Sequence, residues 1–145
     1  MRRSLLASFL LVLPFAAQAD ALLLNDLKAQ NGIQLSVDEL KQLIPSAKVV
    51  SPLEAGSTRR WTNDPDGKFI ASTDSRTTMG AAGPRPSTGP GTWHIGDNGT
   101  YCVTIEWKTV SENWCRYIFK VGEKYYGVGS IANGTAKAYS YDFSK

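Results

Sequence analysis

Both cysteines, the only histidine and three of the four tryptophans of the chain fall within residues 91–115, "GTWHIGDNGTYCVTIEWKTVSENWC". Such a cluster suits a metal site, a catalytic site or a stapled piece of β-sheet. Cys102 and Cys115 stand apart in sequence, with His94 the only imidazole, and no Cys-x-x-Cys spacing is present. That is too few ligands for tetrahedral zinc, so no metal is expected. In an oxidising compartment an even pair in a small domain reads more simply as a disulfide. Closing a loop of that size stabilises a fold by about 3 kcal/mol in the chain-entropy account. Cys102 alternates with Thr104 and Glu106, and Cys115 with Tyr117 and Phe119. Bonding the two therefore asks for a bulge or a diagonal pairing that brings a polar face onto an aromatic one.

His94, between Trp93 and Ile95, points to the face opposite those apolar groups. As a general base it needs an orienting acid and a nucleophile, and Asp97 belongs to a turn. No Gly-x-Ser-x-Gly elbow or phosphate-cradling glycine loop occurs, and Asp64-x-Asp66-Gly67 resembles the start of a calcium loop that Lys68 and Phe69 do not continue. The expectation is a protein without cofactor and without enzymatic activity, the alternative being a hydrolase built on carboxylates such as Asp66 and Glu106.

Compartment and charge follow from the amino end. Arg2 and Arg3, an apolar run from Leu5 to Phe15 and the exit Ala17-Gln18-Ala19 have the order of a Sec-type signal peptide cleaved after Ala19. The apolar run is short of the roughly 20 residues a membrane span requires. The expected locale is periplasmic or secreted, with no span after cleavage. The full chain carries 16 Lys and Arg against 13 Asp and Glu; without Arg2 and Arg3 the bases fall to 14 and the net charge to +1. This balance excludes a nucleic-acid binder. Arg59-Arg60, the only basic doublet beyond the leader, reads as a solvated strand face.

The rest of the chain forms one globular domain, 20–145, of a size that buries a real core. Residues 20–46 are a helical segment. "ALLLNDLKAQNG" ends with Gly32 at a helix C′ position, and "SVDELKQLIP" carries the capping box Ser36-x-x-Glu39 with Pro45 as a stop. Val37, Leu40, Leu43 and Ile44 share one face, the stripe of a short helix lying on a sheet. Residues 47–145 are an antiparallel β domain. Strands are expected near 47–51, 57–62, 68–74, 92–96, 100–108, 114–121, 125–131 and 135–141.

Turns at Asp64-Pro65-Asp66-Gly67, Asp97-Asn98-Gly99, Gly122-Glu123-Lys124 and Asn133-Gly134 separate most of these strands. Asn98-Gly99-Thr100 and Asn133-Gly134-Thr135 also match glycosylation sequons, but hairpin turns with two positive-φ residues explain both first. Connections this short give a meander, mainly β in an α+β sense, curled into a small barrel or a bent sheet with one or two N-terminal helices packed on it. The Gly/Pro-rich stretch 75–91 reads as a flexible crossing loop.

Outside the leader every aromatic residue lies at or after Trp61. Small barrels hold one ligand, so the favoured function is a non-enzymatic envelope protein with a pocket for a small apolar or aromatic molecule. Candidate lining residues are Trp61, Trp93, His94, Trp107, Trp114 and Tyr117. The alternative is a protein-interaction module, an inhibitor or accessory factor of an envelope enzyme, presenting the 75–91 loop. An outer-membrane barrel fits less well, because the strands are short and no alternate face is consistently apolar.

Gly91-x-Trp93, Gly99-x-x-Cys102, Trp107 and Trp114-Cys115 before an aromatic strand together resemble the small secreted proteobacterial proteins of a domain-of-unknown-function family, number 995. The helix Leu35-Ser36-x-x-Glu39-Leu40 and the Asp66-Gly67 hairpin are similar too. The resemblance implies a bacterial periplasmic or exported protein and brings no activity and no functional residues.

Overall fold

The computed structural model describes residues 21–53, 56–74 and 87–145. The leader 1–19 and most of the 75–91 stretch lie outside the described residues. The elements run α1 (Leu24–Ala29), β1 (Ile33–Gln34), α2 (Val37–Leu43), β2 (Lys48–Pro52), β3 (Thr58–Thr62), β4 (Lys68–Asp74), β5 (Ser87–Ile95), β6 (Thr100–Glu106), β7 (Ser111–Val121), β8 (Lys124–Val128) and β9 (Ala138–Ser144). Strands β2 to β9 pair antiparallel with their sequence neighbours, and β9 pairs back onto β2. The meander therefore closes into an eight-stranded barrel, which leaves no free edge. The two-residue β1 adds to β7 beyond the end of β6.

Register decides which side chains enter the barrel. The pairs Val49↔Trp61, Val49↔Phe143, Trp93↔Val103, Val103↔Trp114 and Tyr125↔Tyr141 carry one inner face around the wall. Leu40 of α2 and Ile44 at its C-cap complete this core from one end, and both are fully buried. The other helix works from outside. Leu24 and Leu27 of α1 cover Phe119 and Val128 on the outer wall in a second cluster.

Local chemistry explains the helix ends. Ser36 Oγ accepts from Glu39 N at 3.1 Å while Glu39 Oε2 accepts from Ser36 N at 2.8 Å, the expected capping box. Pro45 follows, and the Lys145 ammonium donates to the α2 end carbonyls of Gln42, Leu43 and Pro45. Helix α1 ends one residue earlier than the sequence suggests. Asn31, at φ +59°, takes the left-handed C′ position, and Gly32 N donates to Leu27 O at 2.8 Å as the residue after it. Asparagine accepts that conformation, so the glycine is free for a close approach instead.

Three further expectations are corrected. Strand β5 starts at Ser87, inside the stretch read as loop. Residues 87–90 pair with β4 alone, since the β5–β6 ladder begins at Gly91, which leaves Pro90 a flank without a ladder partner. Gly89 and Gly91 face inward: a Cβ at 91 would strike the Phe69 ring, and one at 89 would approach Glu106 O to 2.6 Å. The glycines are there for room rather than for mobility.

At Asp97-Asn98-Gly99 only Gly99 has positive φ, at +83°. The turn closes with Gly99 N to Gly96 O at 3.0 Å and Gly96 N to Thr100 O at 2.9 Å, a longer loop than two residues. Asn133-Gly134 sits in the connection between β8 and β9, where Asn133 Oδ1 accepts from Thr135 N at 3.1 Å. Strand β9 consequently starts three residues later than expected.

Candidate functional site

The two ends of the barrel differ in chemistry. At the α2 end, a buried polar knot ties wall to plug. Tyr101 OH donates to Asn63 Oδ1 at 2.7 Å, Trp61 Nε1 lies 3.0 Å from the same oxygen and 3.1 Å from Tyr101 OH, and Asn63 Nδ2 donates to Ile44 O at 3.2 Å. Every strong group there has a partner, as an enclosed interior requires. Burial, opposed by the hydrogen bonds from Trp61 and to Asn63, pushes the Tyr101 hydroxyl well above its ordinary range.

Among the described residues no element plugs the opposite end, which the β2–β3, β6–β7 and β8–β9 connections reach. A cavity of about 480 Å³ lies there, lined among others by Ser51, Arg59, Trp61, Glu112, Trp114, Arg116, Tyr139 and Tyr141. Alternation places these side chains inward: Arg59 and Trp61 on β3, Glu112, Trp114 and Arg116 on β7, Tyr139 and Tyr141 on β9. Arg59 Nη1 meets Glu112 Oε2 at 2.5 Å, and the guanidinium sits 5.4 Å from the Trp107 ring centre. Arg59 Nε and Trp107 Nε1 are enclosed with no acceptor among the described residues.

Arg116 is held differently. Its guanidinium carbon lies 4.2 Å from the Trp114 ring centre and 3.8 Å from that of Tyr139, and Nη1 donates to Tyr141 OH. Gly127 of β8 makes the space, since a Cβ there would lie 2.7 Å from the Tyr141 ring and 3.2 Å from Arg116 Cβ. Burial pushes the Tyr141 hydroxyl up to about 12, against the pull of the Arg116 charge and hydrogen bond.

The residues singled out from the sequence divide. Trp61 and Trp114 line the cavity. Trp107 stacks on Arg59 beside it, over Gly89. Trp93 faces inward but at the α2 end, where Nε1 donates to Asp64 O at 2.8 Å. His94 is exposed on the outer wall opposite Cys102, and Tyr117 packs outside against the α1 cluster. Neither belongs to the interior, because period two sends each to the face opposite Trp93 and Trp114.

Cys102 and Cys115 are bonded, with an S–S distance of 2.09 Å. They are direct partners in the β6–β7 register. The bulge or diagonal pairing is therefore not needed: both faces are outward, and the aromatic end of the β7 face is the part that α1 covers. Asp66 and Glu106 both line a shallow outer groove of about 560 Å³ over Ile70 and Pro90, but the β4–β5–β6 register sets them toward opposite ends of it. Each already accepts a local bond, Asp66 Oδ1 from Lys68 N at 3.0 Å and Glu106 from Ser111 Oγ. Among the described residues no group of three His, Cys, Asp or Glu is placed to hold a metal ion.

Sequence reading missed Arg59, Glu112, Arg116, Tyr139 and Tyr141. Arg60 is solvated as expected, paired with Asp74 at 2.6 Å, but Arg59 turns inward. The available signal was register: Arg59-x-Trp61-x-Asn63, Glu112-x-Trp114-x-Arg116-x-Ile118 and Tyr139-x-Tyr141-x-Phe143 each share one face with a core aromatic.

Fold and mouth together define a small closed meander barrel, plugged by a helix at one end and polar and aromatic at the other. The chain belongs to the family of proteins of unknown function DUF995, whose pattern matches residues 7–115. The matched span carries Ser51, Arg59, Trp61, Glu112 and Trp114 and ends before Arg116, Tyr139 and Tyr141. No curated protein and no solved structure matches the chain.

Proposed function

We propose that the protein is a non-enzymatic envelope protein, periplasmic or secreted, which binds one small molecule in the cavity at the mouth of its barrel. The observation that carries this reading is the cavity of about 480 Å³ among Trp61, Trp114, Tyr139 and Tyr141. Its size lies within the range of small-molecule sites, and stacked rings with a few polar groups are their usual lining. A purely apolar ligand is the wrong partner, because Ser51, Arg59, Glu112 and Arg116 share the wall. The ligand has an aromatic or apolar body and a polar group. Binding rather than catalysis is favoured because Glu112, the carboxylate of this lining, is engaged by Arg59.

The disulfide and the leader-like amino end support export. No helix among the described residues is long and apolar enough to cross a membrane. Exposed Lys48, Arg60, Lys68, His94 and Glu106 on the outer wall do not suit contact with lipid chains.

Native mass spectrometry of the protein isolated from the envelope of its own host tests the reading. The expected result is an oxidised chain beginning at Asp20 with a bound small mass, lost in Trp114→Ala and kept in His94→Ala. A bare chain, or an adduct that survives Trp114→Ala and leaves with His94→Ala, overturns it; a bare chain moves the weight to a protein partner.

A further inference from the structure

Two arginines enter the mouth against one carboxylate of the lining, and their situations are unequal. Glu112 compensates Arg59 at 2.5 Å, and Arg59 Nε is enclosed. Among the described residues no carboxylate lies within ion-pair distance of Arg116, whose one hydrogen bond runs from Nη1 to Tyr141 OH. A guanidinium carries five N–H donors in a plane. The Trp114 and Tyr139 rings pack against the Arg116 guanidinium, with centres 4.2 and 3.8 Å from its central carbon. Among the described residues its other side-chain N–H groups meet no acceptor, and they are not sealed in as Arg59 Nε is.

A partly buried cation packed against two rings, with N–H donors left unpaired, is a preorganised receptor for a planar oxyanion. Stacking removes the rotamer freedom that binding would otherwise cost, and the in-plane fork matches a carboxylate through two parallel hydrogen bonds. We propose that Arg116 is the anion-binding element of the mouth, and that the ligand is a small aromatic carboxylate. The carboxylate meets the Arg116 edge while the ring lies against the Trp61 and Trp114 side of the cavity. The charge count agrees: Arg59, Arg116 and Glu112 leave the lining one positive charge, which a monoanion cancels.

This inference rests on the mouth being a ligand site, and one pair of probes separates the two claims. 2-Naphthoate and 2-naphthamide have the same ring body and differ in the charged group. Calorimetric titration of the oxidised protein is expected to show naphthoate bound at least tenfold more tightly. Arg116→Gln is expected to abolish that preference, so that the variant binds naphthoate no more tightly than naphthamide.

Equal affinities in the parent protein overturn the anion site and leave the pocket standing, whereas binding of neither probe overturns both. A preference retained in Arg116→Gln overturns the assignment to Arg116. If that variant does not fold, the Arg116 Nε–H resonance of the parent decides. A shift with naphthoate alone supports the proposal, and an identical response to both probes refutes it.

Discussion

Replacing Asn63 by alanine tests whether the buried knot holds the floor of the mouth. The side chain is fully buried and joins three elements: Oδ1 receives Tyr101 OH at 2.7 Å and Trp61 Nε1 at 3.0 Å, and Nδ2 reaches Ile44 O at 3.2 Å. Two of the three partners have a second bond. Trp61 Nε1 keeps Tyr101 OH at 3.1 Å, and Ile44 O keeps Ala47 N at 3.1 Å. The Tyr101 hydroxyl proton is the one left without an acceptor. Lost bonds of about 1 kcal/mol each and one orphaned buried donor bring the expected cost to about 3–4 kcal/mol.

Tyr101→Phe removes the hydroxyl and orphans nothing, since Trp61 and Asn63 still meet; its expected cost is about 1 kcal/mol. With a urea slope of about 2 kcal/mol per molar, Asn63→Ala lowers the midpoint by about 1.5–2 M and Tyr101→Phe by about 0.5 M. Tryptophan fluorescence on oxidised protein measures both. Equal shifts, or a shift under about 0.5 M for Asn63→Ala, would refute the argument that satisfaction of these groups shapes the floor.

Three other outcomes are expected. The double change Cys102→Ser and Cys115→Ser, which removes a bond between direct cross-strand partners, lowers stability by about 3 kcal/mol with the same folded spectrum, as read by urea midpoint and circular dichroism. Gly127→Ala sets a methyl 2.7 Å from the Tyr141 ring and costs about 1–3 kcal/mol; an unchanged midpoint would show that Gly127 does not make the space. Stability also falls in alkali. Burial raises Tyr141 to about 12 and Tyr101 further, whereas unfolded tyrosines titrate near 10. The contribution is full below pH 10 and declines toward pH 12, because the unfolded chain then releases protons that the folded one keeps, at up to about 1.4 kcal/mol per pH unit for each tyrosine. Urea midpoints between pH 9 and 11.5 should fall in the parent and fall less steeply in Tyr141→Phe.

Most of the wall was legible because period two and turn residues are local signals. Strands β2, β3 and β4 lie close to where alternation puts them, whereas β7 starts at Ser111, three residues before the expected 114, and the capping box at Ser36 is spelled out in four residues. Closure was not legible: pairing of β9 with β2 joins Phe143 to Val49 across most of the chain, and no local pattern encodes it. Glycine misled twice for one physical reason. Gly89 and Gly91 were read as backbone freedom when they make room for a ring, and Gly32 was read as a left-handed cap when Asn31 takes that role. Arg59 was misread because a basic doublet says nothing about which member faces inward; only the identity of Trp61 two residues on, in the same register, does.

The inner face changes character along the barrel axis in a way that folding alone does not demand. Toward α2 it is Val49, Trp61, Val103 and Ile118; toward the mouth it is Arg59, Glu112 and Arg116. An eight-stranded barrel is narrow enough to be filled by apolar side chains throughout. Replacing inward charges with hydrophobic residues of similar volume is often neutral or stabilising, since desolvating them costs several kcal/mol per ion. Gly127 compounds the point, because the chain gives up a side chain in a strand interior to seat Arg116 beside Tyr141. Stability would be served as well by a leucine at 116 and a larger residue at 127. The arrangement is better explained by what a guanidinium packed against two rings with unpaired donors can bind than by what it adds to the fold.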